Sequence, residues 1–153
     1  MSAPQFGQPE PGKAYPDRPA AFAIVERDGR IAVVQVTFAS GGGRLDLPGG
    51  GIDPGETPAQ AAERECGEEA GLRIAVEAPV ARADHYFVSE KGVRHNTRGT
   101  FFAARLLAEA PELHTEADHA LEWMPPQEAL VRLDRESHAW AVAAWLRRLR
   151  GAA

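Results

Sequence analysis

Glutamates at positions 65, 68 and 69 stand at i, i+3 and i+4. That spacing puts three carboxylates on one face of a helix, about a turn apart. Like charges on one stripe repel, and the sequence reading finds no basic side chain interleaved at those spacings. The stripe therefore calls for solvent or for a cation. A hard divalent ion such as Mg²⁺, with Mn²⁺ as the alternative, favours oxygen ligands and binds substrate phosphates at the same time. Clustered carboxylates can also keep one member poised as a base. The commoner meaning of a Glu-rich helix is a solvated acidic face, and the triplet alone does not decide between the two.

The neighbouring residues are those of a well-bounded helix. Thr57 is placed as N-cap, Pro58 suits the first helical position, and Gln60 completes a capping box. Gly71 suits a left-handed stop. The helix is thus expected over Pro58–Ala70. Before it, Pro48-Gly49-Gly50-Gly51 is expected to break regular structure, and Asp53-Pro54-Gly55 to turn the chain.

Apolar runs Phe22-Ala23-Ile24-Val25 and residues 31–36 flank Asp28-Gly29, a strong hairpin signal. Further strands are expected over residues 45–47, 72–80, 85–89, 99–107 and 121–124, with residues 90–98 as a polar connection. A short helix around residues 127–131 and a longer one over 136–150 follow. Residues 1–19 hold five prolines and read as an extended, partly disordered arm, with a passive tail favoured over an edge-covering strap for the first dozen residues and Tyr15 as a docking candidate. Residues 20–153 read as a single domain, a mixed sheet between helices.

The chain has 153 residues, 44% hydrophobic and 25% charged, which is ordinary for a globular domain. No apolar run approaches a membrane span, and no secretory signal is evident. One cysteine, Cys66, leaves no intrachain disulfide and fits a reducing compartment, so cytoplasm is the expectation. A formal net charge of −5 argues against a nucleic-acid partner. A small phosphorylated ligand remains compatible, because a metal supplies positive charge locally.

What decides the meaning of the triplet is its surroundings. Gly50, five residues, Glu56, seven residues, then Arg64-Glu65-Cys66-Gly67-Glu68-Glu69-Ala70-Gly71-Leu72 resembles the Nudix box. All seven fixed Gly, Glu and Arg positions match, a coincidence on the order of one in 10⁸ at a given start. The one departure is Cys66, where an aliphatic residue is usual; it reads as helix packing rather than a nucleophile. Gly67 costs up to about 1 kcal/mol in a helix interior, and close approach of another element would explain it.

The resemblance implies a Nudix fold, an α/β/α sandwich with a mixed sheet, and Mg²⁺-dependent hydrolysis of a nucleoside diphosphate linked to another moiety. Carried over by position, Glu65, Glu68 and Glu69 are metal ligands, one of them also a base. Arg64 orients the glutamates, Glu56 anchors the loop–helix junction and Gly50 allows the loop its tight path. An extra carboxylate from outside the box is expected at Glu116, with Glu112 second. A small nucleotide-derived molecule is the expected partner, and a homodimer is left open.

For the substrate, Arg44 is the best-placed phosphate contact, ahead of Arg94 and Arg98. Tyr86, Phe87, Phe38 and Phe101 could stack on a base, although strand aromatics are more often core. His85, His95, His114 and His119 show no ligand spacing and are read as surface or hydrogen-bonding groups. A proline that would suggest ADP-ribose hydrolysis is replaced by Phe87, and the signatures of NADH and coenzyme A hydrolases are missing. Alternatives are hydrolysis of dinucleoside polyphosphates or modified nucleoside triphosphates and, from another class, a binding-only Nudix module.

Overall fold

The computed structural model describes residues 3–152. Eight strands form one curled mixed sheet in the order β1-β6-β7-β2-β3-β4, with β5 also on β2 and β8 also on β3. Their ranges are β1 Gln5–Phe6, β2 Asp17–Arg27, β3 Arg30–Thr37, β4 Gly43–Asp46, β5 Gly49–Gly51, β6 Leu72–Val88, β7 Arg94–Glu109 and β8 His119–Met124. Helix α1 is Pro58–Ala70, α2 Pro126–Arg132 and α3 Glu136–Ala152.

Alternation along β2 explains the layering. Ala20, Phe22 and Ile24 join a cluster with Val142 and Trp145 of α3. Ala23 and Val25 face the other way, onto Cys66 and Ala70 of α1, and Ala21 meets Ala61 and Ala62. A strand apolar on both faces belongs between two helical layers. This is the expected α/β/α sandwich. No helix among the described residues is long and apolar enough to cross a membrane.

Several local expectations hold. Asp28 and Gly29 both take positive φ, 52° and 78°, in the two-residue link between β2 and β3. Thr57 caps α1 through the reciprocal box with Gln60, and Gly71 ends it at φ 64°. Buried Cys66 packs under α1, and burial pushes its thiol up to about 12. Gly67 is explained by the Leu113 side chain, which would lie 3.3 Å from an added Cβ.

Other expectations are corrected. The glycine run does not simply break the chain: Gly49–Gly51 pairs antiparallel with Ala20–Phe22 of β2. β2 forks, meeting β3 only at Glu26 and Arg27 and leaving its other end free for β5. β6 is continuous, with register shifts between residues 73 and 81, where two strands were expected. The connection from β6 to β7 is shorter than the expected polar stretch, since β7 already begins at Arg94. The proline-rich arm is not a passive tail from residue 3 onward. Gln5 and Phe6 run parallel to Asp84 and His85 on the edge of β6, and the Asn96 N–H donates to the Pro16 carbonyl at 2.8 Å.

Candidate active site

Helix α1 presents its glutamates to a loop held by one arginine. Arg64 donates from Nε to Glu56 Oε2 at 2.7 Å, and from Nη1 to Glu65 Oε1 at 2.9 Å and Glu68 Oε2 at 3.1 Å. From Nη2 it reaches the Gly51 carbonyl at 3.1 Å and Glu56 Oε1 at 3.0 Å. The stripe therefore does contain an interleaved cation, because Arg64 and Glu68 stand at i, i+4. Glu56 also accepts the Asp53 N–H at 2.9 Å. The Arg64 guanidinium and that N–H hold its carboxyl down at about 2.

Glu69 is built differently. It is 8% exposed, accepts the Gly49 N–H at Oε1 (2.9 Å) and faces His119 Nε2 from Oε2 at 3.0 Å. Burial pushes its carboxyl up, against the pull of His119 and the Gly49 amide. Burial also raises Glu65, helped by the negative charge of Glu69 and opposed by Arg64. Glu69, with Asp118 on the other ring nitrogen at 2.9 Å, pushes the His119 imidazole up to about 9. Through Glu69, His119 clips β8 to α1. Its role was missed because Glu69 and His119 are far apart in sequence and share no helix or knuckle.

A cavity of about 270 Å³ collects Asp46, Glu65, Glu69, Glu116 and His119 with Arg18, Arg44 and Arg135. Glu68 is not in it. Beyond its Arg64 pair, Glu68 lines a separate depression with Glu63, Glu112 and Leu113. Glu112, the second choice for an extra carboxylate, is therefore on the wrong side, while Glu116 is at the cavity. The Glu68 carbonyl fixes that loop by accepting the N–H groups of Thr115 and Glu116, each at 3.0 Å.

Gly50 lies against Glu65: a Cβ there would come within 2.9 Å of the Glu65 carboxyl carbon. Gly49 is more constrained still, at φ 151° with an added Cβ 2.3 Å from the Ala21 carbonyl oxygen. Tyr86 lines neither this cavity nor a second one. It packs edge-on against Tyr15 of the arm, ring centroids 5.4 Å apart, while its neighbour Phe87 faces that second cavity. Of the expected arginines, Arg44 lines both cavities. Arg94 pairs with Glu10 and Arg98 with Asp84 instead. Arg18, Asp46 and Arg135 had no local motif to announce them.

Glu65, Glu69 and Glu116 bring a hard-oxygen donor set to one cavity. This fits a divalent ion. Glu116, Asp118 and His119 also offer ligand atoms within 4.8 Å of one another. That trio fits less well, because both nitrogens of the imidazole already face carboxylates.

The sequence matches the NUDIX domain family over residues 16–146. The chain belongs to the Nudix hydrolase family. An RNA pyrophosphohydrolase of Mesorhizobium japonicum is 33% identical over 135 residues, 76% of this chain and 78% of that protein. A Mycobacterium tuberculosis relative that carries the name mutator protein MutT4 is 34% identical over 109 residues, 70% of this chain. The match spans only 43% of that relative's length. Among solved structures, a Nudix hydrolase from Nitrosomonas europaea superposes with a TM-score of 0.75 at 17% identity, covering 86% of this chain and 89% of that one. This Nudix chain thus shares its fold with proteins whose sequences have diverged widely.

Proposed function

We propose that the protein is a Mg²⁺-dependent pyrophosphohydrolase that cleaves the diphosphate linkage of a nucleoside diphosphate derivative. The observation that carries this reading is the division of one cavity into carboxylates and guanidiniums. The first suit a hard cation and the second suit phosphate oxygens. The name of the Mesorhizobium relative, an RNA pyrophosphohydrolase, fits chemistry at a phosphoanhydride.

Glu65, Glu69 and Glu116 would hold the metal, with Mn²⁺ as a substitute. When bound, the ion neutralises charge on the phosphate oxygens and acidifies water. Glu69 is fixed by the Gly49 amide and His119, so both its oxygens are oriented before substrate arrives. Glu65 has one oxygen on Arg64, and among the described residues its Oε2 accepts no hydrogen bond. That oxygen, on a carboxyl whose affinity for protons burial has raised, accepts the proton of the attacking water. The water oxygen bonds to phosphorus, and the far P–O bond breaks with its electron pair leaving on the departing phosphate. Glu68 acts behind the site, by fixing Arg64 and the loop of Glu116.

The test is a panel of nucleoside triphosphates, dinucleoside polyphosphates, ADP-ribose and sugar nucleotides, each with Mg²⁺ and with EDTA. Turnover that stops in EDTA and in Glu65→Gln is the expected result. Binding of a nucleotide with no turnover and no metal requirement would replace the hydrolase with a binding module.

A further inference from the structure

Arg18, Arg44 and Arg135 line the same cavity as the carboxylates, and among the described residues Arg44 and Arg135 have only Asp46 and Glu90 as acidic partners. Arg135, at the start of α3, has a side chain only 11% exposed. Its Nε lies 3.4 Å from Asp46 Oδ1 yet makes no hydrogen bond. An unpaired buried N–H is costly and rare. Asp46 is already engaged by Arg44 Nε, at 3.0 and 2.9 Å to its two oxygens. Burial and the like charges of Arg44 and Arg18 disfavour the charge on Arg135, with Asp46 in opposition.

The guanidiniums are nevertheless held in place. Arg135 stacks on the Phe87 ring, with its Cζ 3.9 Å from the centroid. Arg44 lies over the same ring at 5.0 Å and over Phe38 at 5.4 Å. Arg18 approaches over β5, where Gly51 leaves the room: a Cβ there would lie 2.8 Å from its Nη2. Arg44 and Arg135 also form the wall shared with a second cavity of about 370 Å³.

We propose that Arg135, braced on Phe87, forms with Arg44 and Arg18 a clamp for the distal part of a phosphate chain, so that preferred substrates carry three or more phosphoryl groups. The proposal rests on the hydrolase reading for the position of the cleaved linkage. A diphosphate held against the carboxylate wall satisfies the metal, and further phosphoryl oxygens are what the arginine wall lacks. The planar fork of Arg135 suits such oxygens. The second cavity, lined by Phe38 and Phe87 together with Glu90 and Asp134, takes the remainder of the ligand.

Titration calorimetry in EDTA with inorganic tripolyphosphate and pyrophosphate tests the clamp without turnover. Wild type is expected to bind tripolyphosphate about tenfold or more tightly than pyrophosphate. Arg135→Gln should lose about tenfold or more of that affinity, the worth of one or two charged hydrogen bonds. Arg135→Lys should recover only part, since an ammonium neither stacks nor forks. Should Arg135→Gln fail to fold by circular dichroism, Phe87→Leu removes the brace and should weaken tripolyphosphate in the same direction. Equal binding of the two anions, or wild-type affinity in the folded variants, overturns the clamp. With Mg²⁺, a nucleoside triphosphate should exceed a nucleoside diphosphate sugar by about tenfold or more in kcat/KM. If nothing is turned over while tripolyphosphate binding still depends on Arg135, the hydrolase reading falls and the clamp stands. If both nucleotides are cleaved equally and Arg135→Gln leaves KM unchanged, the clamp falls and the hydrolase stands.

Discussion

The two walls of the cavity are built on opposite electrostatic plans. On α1, Arg64 is enclosed by Glu56, Glu65, Glu68 and the Gly51 carbonyl, so most of its N–H groups are satisfied within the protein. Arg44 and Arg135 instead share the carboxylate of Asp46, with Glu90 a further 3.7 Å from Arg44, and Arg135 keeps an unpaired N–H. The carboxylate wall is a finished lattice that orients its members. The arginine wall is held by aromatic stacking, which fixes guanidinium planes without consuming their hydrogen bonds. Preorganised catalytic groups need internal partners, whereas a binding surface must keep its donors for the ligand.

The sharpest way to break this contrast is to remove a carboxylate from the finished side. Glu65→Gln should lower kcat by about 10²–10⁴-fold, read in steady-state assays with Mg²⁺. Substitution of the backbone beneath that wall comes next. Gly49→Ala forces a Cβ at φ 151° into the Ala21 carbonyl and should cost about 1–3 kcal/mol, measured as a shift of the urea midpoint.

A third prediction concerns the support behind the arginine wall. His138 of α3 is 1% exposed and accepts the Leu47 N–H at Nδ1, 3.0 Å away. Burial first, then the charge of Arg135, pushes its pKa well down. Because the folded value lies below the unfolded one near 6.5, the stability it contributes is full above pH 6.5. It is lost as pH falls, by at most about 1.4 kcal/mol per pH unit. Urea midpoints at a series of pH values should show the decline, and His138→Leu should flatten it. The smallest effect is expected at Tyr86. Tyr86→Leu loses an edge contact to Tyr15 worth about 1 kcal/mol, which thermal melts would register while KM stays unchanged.

The same two walls differ in how far the sequence revealed them. Thr57, Glu56, Arg64 and Glu65 lie within one loop and one helix, and local spacing and capping chemistry place them. Even there, local spacing does not announce that Arg64, one turn before Glu68, pairs with it. Arg18, Arg44, Asp46 and Arg135 come from β2, β4 and the residue before α3. They meet only because β2 forks to admit β5 and because Asp134 and His138 tie the α3 region to Leu45 and Leu47. Such pairing is non-local, and no short-range pattern records it. The proline-rich arm failed for a similar reason: its docking depends on the exposed edge of β6, not on its own composition.

The division of labour between the walls is tested most directly by paired kinetics on a nucleoside triphosphate with Mg²⁺. Glu65→Gln should depress kcat with little change in KM, and Arg135→Gln should raise KM about tenfold or more with little change in kcat. If both variants depress kcat equally and leave KM unmoved, the two walls do not do separate work.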